Sequence, residues 1–216
     1  ALVLIEAQGA RGAFEFQGQK CSAASRAYIP SNIAAEVKKK LVEQVKTMKM
    51  GTVEDFTNFV NAVIDEKSFD KLEGYIKNAR KRDSGAKIWV GGKCDKTEGF
   101  FIEPTIIEGL AANCKTNMEE IFGPVVTLQT FETKEEALAL ANACDYGLAS
   151  TVWTQDISKA NQMAMKINAG IVWINCWLLR DLRTPFGGVK NSGVGREGGW
   201  EALRFFTEAK NVCIEL

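Results

Sequence analysis

Cys21 sits in Phe16-Gln17-Gly18-Gln19-Lys20-Cys21-Ser22-Ala23, shortly after a glycine and between polar neighbours. The site joins a helix-like segment to a strand-like one, where a substrate can reach a thiol. As a thiolate, that sulfur is a strong nucleophile. The chain has no histidine, so the Cys-His pairing of common thiol hydrolases is excluded and another arrangement must make Cys21 reactive. Backbone N–H groups around Cys21 and Ser22 are candidate donors to a developing oxyanion. Cys94, Cys114, Cys144, Cys176 and Cys213 are scattered, with no Cys-x-x-Cys. They read as reduced, inert small residues, not as a disulfide framework or a zinc site.

Other residues have a functional and a plainer reading. Glu120 is an acceptor-only carboxylate suited to paired hydroxyls; its plainer reading is a solvated glutamate, which is the reading given to Glu119. Phe122 is otherwise a core residue, and Asn175 a strand-end turn residue. Arg180 and Arg183 carry guanidinium forks that match a carboxylate, or are surface arginines. The glycines at 187, 188, 193 and 195 permit tight backbone paths. Arg196 is expected to pair with Glu208 and tie the tail to the domain.

The elements that hold these residues alternate. Helical character is expected near Arg11–Phe16, then a strand over 25–29. Ser31 is expected to cap a helix over 32–48, and Asp65 a second helix whose apolar stripe is Phe69, Leu72, Tyr75, Ile76 and Ala79. Strands are expected at 87–90, around Pro104, at 125–131, at 149–153 and at 171–175. Thr133 is placed to cap a helix to about residue 144. Asp156 or Ser158 is placed to open another to about 168, with Gly170 as its stop. This alternation predicts an α/β fold, a largely parallel open sheet with helices on both faces. The main domain is placed at 1–200. Residues 201–216 form a helix end and an extended tail whose Val212 and Ile214 alternate with polar residues, an edge that invites pairing with another subunit.

The 216 residues suit one large domain, and 27 basic against 27 acidic residues give no reason to expect nucleic acid or an anionic membrane as partner. No apolar run approaches the ~18 residues of a membrane span. The opening Ala1-Leu2-Val3-Leu4-Ile5 is too short for a signal segment and reads as the end of a buried element. Reduced thiols place the chain inside the cell, in the cytoplasm or the mitochondrial matrix.

Three segments, in this order, carry a resemblance: Phe16 to Ala23; Glu119-Glu120-Ile121-Phe122-Gly123-Pro124-Val125; and Pro185-Phe186-Gly187-Gly188-Val189-Lys190-Asn191-Ser192-Gly193-Val194-Gly195-Arg196-Glu197. Together they resemble the catalytic half of NAD(P)-dependent aldehyde dehydrogenases. The resemblance implies that Cys21 is the nucleophile of a hemithioacetal and thioester pathway. It implies that Glu120 contacts the cofactor ribose, Phe122 contacts the nicotinamide end, and Asn175 supports the active-site loop. Phe14 to Arg26 looks like pyrroline-5-carboxylate (glutamate semialdehyde) dehydrogenases. Trp173-Ile174-Asn175-Cys176-Trp177-Leu178-Leu179-Arg180-Asp181-Leu182-Arg183-Thr184 resembles the 2-aminomuconate and 2-hydroxymuconate semialdehyde dehydrogenases, as in a mosaic sequence. Both imply a carboxylated semialdehyde, with Arg183 first and then Arg180 on its carboxylate, and Ser22 and Phe186 as further substrate contacts. A homo-oligomer is implied for the parent enzyme.

The family's general-base glutamate and oxyanion asparagine, and most of its cofactor domain, lie farther upstream of the nucleophile than the 20 residues present here. Glu6 and Glu15 are in the wrong context to inherit the base. The chain therefore looks like a fragment, expected alone to bind NAD weakly and not to turn over. Two rival readings remain: a thioester or ester hydrolase using Cys21, and a catalytically silent interaction module.

Overall fold

The computed structural model describes residues 7–216, with residues 7–9 and 83 by backbone alone. Residues 1–6, with the apolar opening and Glu6, lie outside the described residues. In chain order the elements are α1 (Ala7–Phe14), β1 (Arg26–Pro30), α2 (Ser31–Lys46), α3 (Glu66–Ala79), β2 (Lys87–Val90), β3 (Cys94–Asp95), β4 (Phe101–Ile102), β5 (Thr105–Glu108) and α4 (Lys115–Met118). There follow β6 (Val125–Phe131), α5 (Lys134–Asn142), β7 (Tyr146–Gly147), β8 (Ala149–Val152), α6 (Ile157–Lys166), β9 (Ile171–Ile174), β10 (Val189–Lys190) and α7 (Gly199–Phe205).

The main sheet has the order β1-β6-β5-β2. β1, β6 and β5 run parallel, with Ile29 opposite Thr130 and Ile106 opposite Val126, and β2 closes one edge antiparallel. A second parallel pair, β8–β9, sets Thr151 opposite Trp173. The open, largely parallel α/β sheet matches the expectation from sequence. β6 is central, and its first four residues are all buried, as a strand covered on both faces requires.

Neighbouring residues on a strand face opposite sides, and the cores follow from that. Ile106 packs with Ala10, Phe14, Leu41 and Val45 from α1 and α2. Ile107, one residue on, packs with Leu72, Tyr75 and Ile76 of α3. A third cluster joins Phe131, Ala137, Val152 and Met163, with Tyr28 against it, under α5 and α6. No helix among the described residues is long and apolar enough to cross a membrane.

Three expected caps form: Asp65 accepts from the Ser68 N–H, Thr133 from Glu136 and Asp156 from Lys159. Ser31 does not cap α2. β1 runs directly into the helix, so Pro30 takes the cap position and Ser31 is already helical. Its hydroxyl donates to Glu132 Oε2 at 2.6 Å instead. α1 stops at Phe14, short of the expected Phe16, because Phe16 and Gln17 turn left-handed. α6 ends with an extended Ile167 at its cap, so Gly170 is not its stop. Gly170 instead lies against the Gly187 carbonyl, where a Cβ would come within 1.7 Å of the oxygen.

The Arg196–Glu208 pair is absent. The Arg196 guanidinium turns inward and donates to the carbonyls of Gly188 and Gly195 at 2.7 and 2.8 Å, satisfying the glycine-rich loop it belongs to. The 207–216 tail is exposed and has no ladder partner among the described residues.

Candidate active site

The Cys21 loop is shaped by a reversal of hand. Phe16, Gln17 and Gly18 all have positive φ, at 52°, 60° and 64°. Left-handed backbone costs about 1–2 kcal/mol per non-glycine residue, so surrounding contacts must hold it. Gly18 abuts the Gly123 carbonyl, and a Cβ there would sit 2.3 Å from that oxygen. Gln17 Nε2 donates to Ala62 O, and Gln19 Oε1 accepts from the Ile64 N–H. A turn from Lys20 O to the Ala23 N–H and a bond from the Ala24 N–H to Gly12 O fix the far side. Cys21 is exposed on this anchored loop.

Glu15 lies beneath the loop, bridged to Lys20 and Arg11 at 2.6 Å each. Burial alone would raise its carboxyl pKa. Hydrogen bonds from Lys20 and Arg11 outweigh that and hold it below the ordinary value.

The Gly18–Gly123 contact brings the second motif alongside the first. A cavity of about 440 Å³ is lined there by Lys20, Cys21, Ser22, Glu120, Phe122 and Trp177, among others, and it extends along the open edge of β1 to β8. Phe122 holds φ 58° and is 41% exposed. Glu119 and Glu120 are both exposed, but they are held differently. Glu119 accepts from the Tyr75 hydroxyl at 2.6 Å, whereas Glu120 is exposed and anchored through its backbone oxygen by Lys71. Desolvation, then the Glu119 contact, pushes the Tyr75 hydroxyl pKa up.

The third wall begins where β9 ends. The Asn175 side chain accepts from the Thr154 N–H and donates to the Thr154 carbonyl, at 2.8 and 2.9 Å. Asn175 thus pins the loop and does not line the cavity. Trp177 does line it, and its indole N–H donates to Ser22 O at 3.1 Å. Arg180, Arg183 and Phe186 are outside the cavity lining. Arg180 pairs with Glu197 and covers the Phe186 ring at 4.1 Å. Arg183, its side chain 87% exposed, is forked onto both oxygens of Asp181.

Among the sequence-derived candidates, the structure therefore gathers Cys21, Ser22, Glu120 and Phe122 around one cavity. It places Asn175, Arg180, Arg183 and Phe186 on the loops behind or beside it. The sequence reading missed Trp177. A tryptophan two residues past the pinning asparagine is the available signal.

An exposed thiol, an exposed carboxylate and a partly exposed aromatic residue thus border the same cavity. The model of the aldehyde dehydrogenase family matches residues 5–212, and the chain belongs to that family. It is 39% identical over 212 residues to the 2-aminomuconic semialdehyde dehydrogenase of Danio rerio, covering 95% of this chain and 43% of that one. It is 40% identical to the 2-hydroxymuconic semialdehyde dehydrogenase of Pseudomonas putida, with the same coverage. The structure superposes on betaine aldehyde dehydrogenase from Staphylococcus aureus, solved in complex with NAD+, with a TM-score of 0.86 and 39% identity. That match covers 92% of this chain and 40% of the other. The chain thus spans less than half the length of these relatives.

Proposed function

We propose that this chain is the catalytic portion of a dehydrogenase that oxidises a carboxylated semialdehyde to the acid. The observation that carries the reading is the Gly18–Gly123 backbone contact, which sets Cys21 in one cavity with Glu120 and Phe122. The Cys21 thiolate attacks the aldehyde carbon, and the carbonyl oxygen takes the charge as the hemithioacetal forms. N–H groups of Cys21 and Ser22 are the donors proposed for it. The residues present fit the ribose–nicotinamide half of a dinucleotide: no donor among the described residues engages the Glu120 carboxylate, leaving it to accept from two hydroxyls, and the exposed Phe122 ring offers a flat apolar contact. A nicotinamide dinucleotide held there by Glu120 and Phe122 would supply the hydride acceptor for oxidation of the Cys21 adduct. Cys21 then carries the acyl group until water releases the acid and restores the thiol. In this proposal the base that activates the water, the oxyanion amide and most of the cofactor site lie on further chain of the parent enzyme, which the greater length of the relatives supports. The 216 residues alone are then inactive in turnover.

The names of the muconic semialdehyde relatives support a carboxylated substrate. In this reading the substrate carboxylate takes the place of Asp181 on the Arg183 fork, and Arg180, paired with Glu197, is the second candidate. Exposed apolar residues on α7 and the tail support a homo-oligomer in the parent enzyme. The free cysteines fit a reducing compartment, cytoplasm or mitochondrial matrix. The decisive experiment co-expresses the chain with the N-terminal part of a matched relative and follows NADH formation. Carboxylated aldehydes are expected to turn over in preference to plain ones, with C21S inactive. Turnover by C21S would reject the reading.

A further inference from the structure

We propose that Trp177 is a positioning residue for acyl transfer at Cys21, linking the loop after β9 to the peptide that follows the nucleophile. The inference rests on Cys21 being the nucleophile of the proposed function, and adds a residue to it.

The other anchors of the Cys21 loop lie before the cysteine or at Ala23 and Ala24. The Ser22 carbonyl is held from across the molecule by one donor, the Trp177 indole, at 3.1 Å. Fixing that carbonyl restricts rotation of Ser22, and so of the adjoining Cys21–Ser22 peptide, which carries one of the two N–H groups proposed as oxyanion donors. An oxyanion donor works only if it is aimed before the charge develops.

Trp177 is itself held on every side. Two bonds from the Asn175 side chain pin the preceding turn to Thr154. The Cys176 carbonyl accepts from the Thr151 hydroxyl, and the Leu179 carbonyl from the Trp173 indole, at 2.8 and 2.9 Å. The Lys20 ammonium lies 4.9 Å from the indole centre and is held by Glu15. Asn175 and Leu178, on either side, hold left-handed φ of 54° and 57°. Strain of that kind persists only where surrounding bonds hold it, and these bonds hold the loop that carries the indole. A tryptophan that merely packs needs neither the donor contact nor this bracing.

Two probes on the 216-residue chain separate aiming from packing. p-Nitrophenyl acetate acylates Cys21: the new carbon–sulfur bond replaces the carbon–oxygen bond to p-nitrophenolate, the thiol proton passes to solvent, and the carbonyl oxygen carries transient negative charge. Iodoacetamide alkylates the same sulfur by displacing iodide from a saturated carbon, with no oxyanion. Both products are counted on the Cys21 peptide by mass spectrometry. W177F is expected to slow acylation about 10-fold, a fraction of the ~10²–10³ lost with a whole oxyanion donor, and to leave alkylation within about 2-fold. W177H, which returns a ring N–H, should recover part of the acylation rate. Equal acylation by W177F and wild type, or parallel changes in both rates, overturns the proposal. If W177F loses its melting transition, the wild-type Trp177 indole N–H resonance decides: a shift on Cys21 acylation supports the link, and an unmoved resonance overturns it. Wild-type chain that never acylates at Cys21 would instead reject the nucleophile reading on which this rests.

Discussion

Gly18 is the residue on which the site's assembly turns. Its φ of 64° and its approach to the Gly123 carbonyl both exclude a side chain. Gly18→Ala is expected to cost about 3 kcal/mol or more in denaturant unfolding, adding a strained φ to a steric clash, and to widen the spacing between Cys21 and Phe122. A second prediction concerns Glu15. Its folded pKa lies below its ordinary value of 4.5, so its contribution is full above that value and is lost as pH falls through the lower folded pKa. The denaturation midpoints of wild type and E15Q should differ above pH 4.5 and converge below it. Equal midpoints at neutral pH would show that the Lys20–Glu15–Arg11 link adds nothing. That Cys21, Glu120 and Phe122 belong together was legible in the sequence because each lies inside a short motif, and the structure sets all three around one cavity. Trp177 was not, because its partner Ser22 is 155 positions away, and the Glu119–Tyr75 contact spans 44. No local period or spacing encodes such pairs.

At the scale of elements, local chemistry was legible where a loop precedes the element. Asp65, Thr133 and Asp156 each stand in extended backbone before a helix, free to reach back to the third N–H. Ser31 has the same side-chain chemistry but follows a strand with no intervening loop, so its hydroxyl found Glu132 instead. The contrast is testable. Asp65→Ala should cost about 1 kcal/mol through the lost cap, whereas Ser31→Ala should stay within ~0.5 kcal/mol, as for a surface change. Urea midpoints of the two variants against wild type measure both. α3 buries Phe69, Leu72, Tyr75, Ile76 and Ala79, so a frayed start reaches Tyr75 and the Glu119–Glu120 turn it steadies. An equal loss in both variants would mean that the cap geometry at Asp65 is not what holds the helix start.

Across the whole molecule, stability and association are expected to reside in different parts. The three apolar clusters lie within residues 10–173. Beyond them, α7 has no buried residue, and Trp200, Leu203, Phe205, Phe206, Val212, Ile214 and Leu216 are exposed. The alternation of Val212 and Ile214 suggests the tail's extension, but no ladder partner for it lies among the described residues, and Arg196 bonds Gly188 and Gly195 instead of Glu208. Deleting residues 207–216 should therefore leave the unfolding free energy within ~0.5 kcal/mol, since nothing buried is lost. The same deletion removes Val212, Ile214 and Leu216, part of the exposed apolar surface of α7 and the tail, and exposed apolar patches are where association is expected. Sedimentation velocity over a concentration series should then show the intact chain associating and the truncated chain remaining smaller. If truncation instead lowers the melting temperature at equal concentration while association is unchanged, the tail belongs to the fold of the single chain. The separation of a folded core from an associating end would then be wrong.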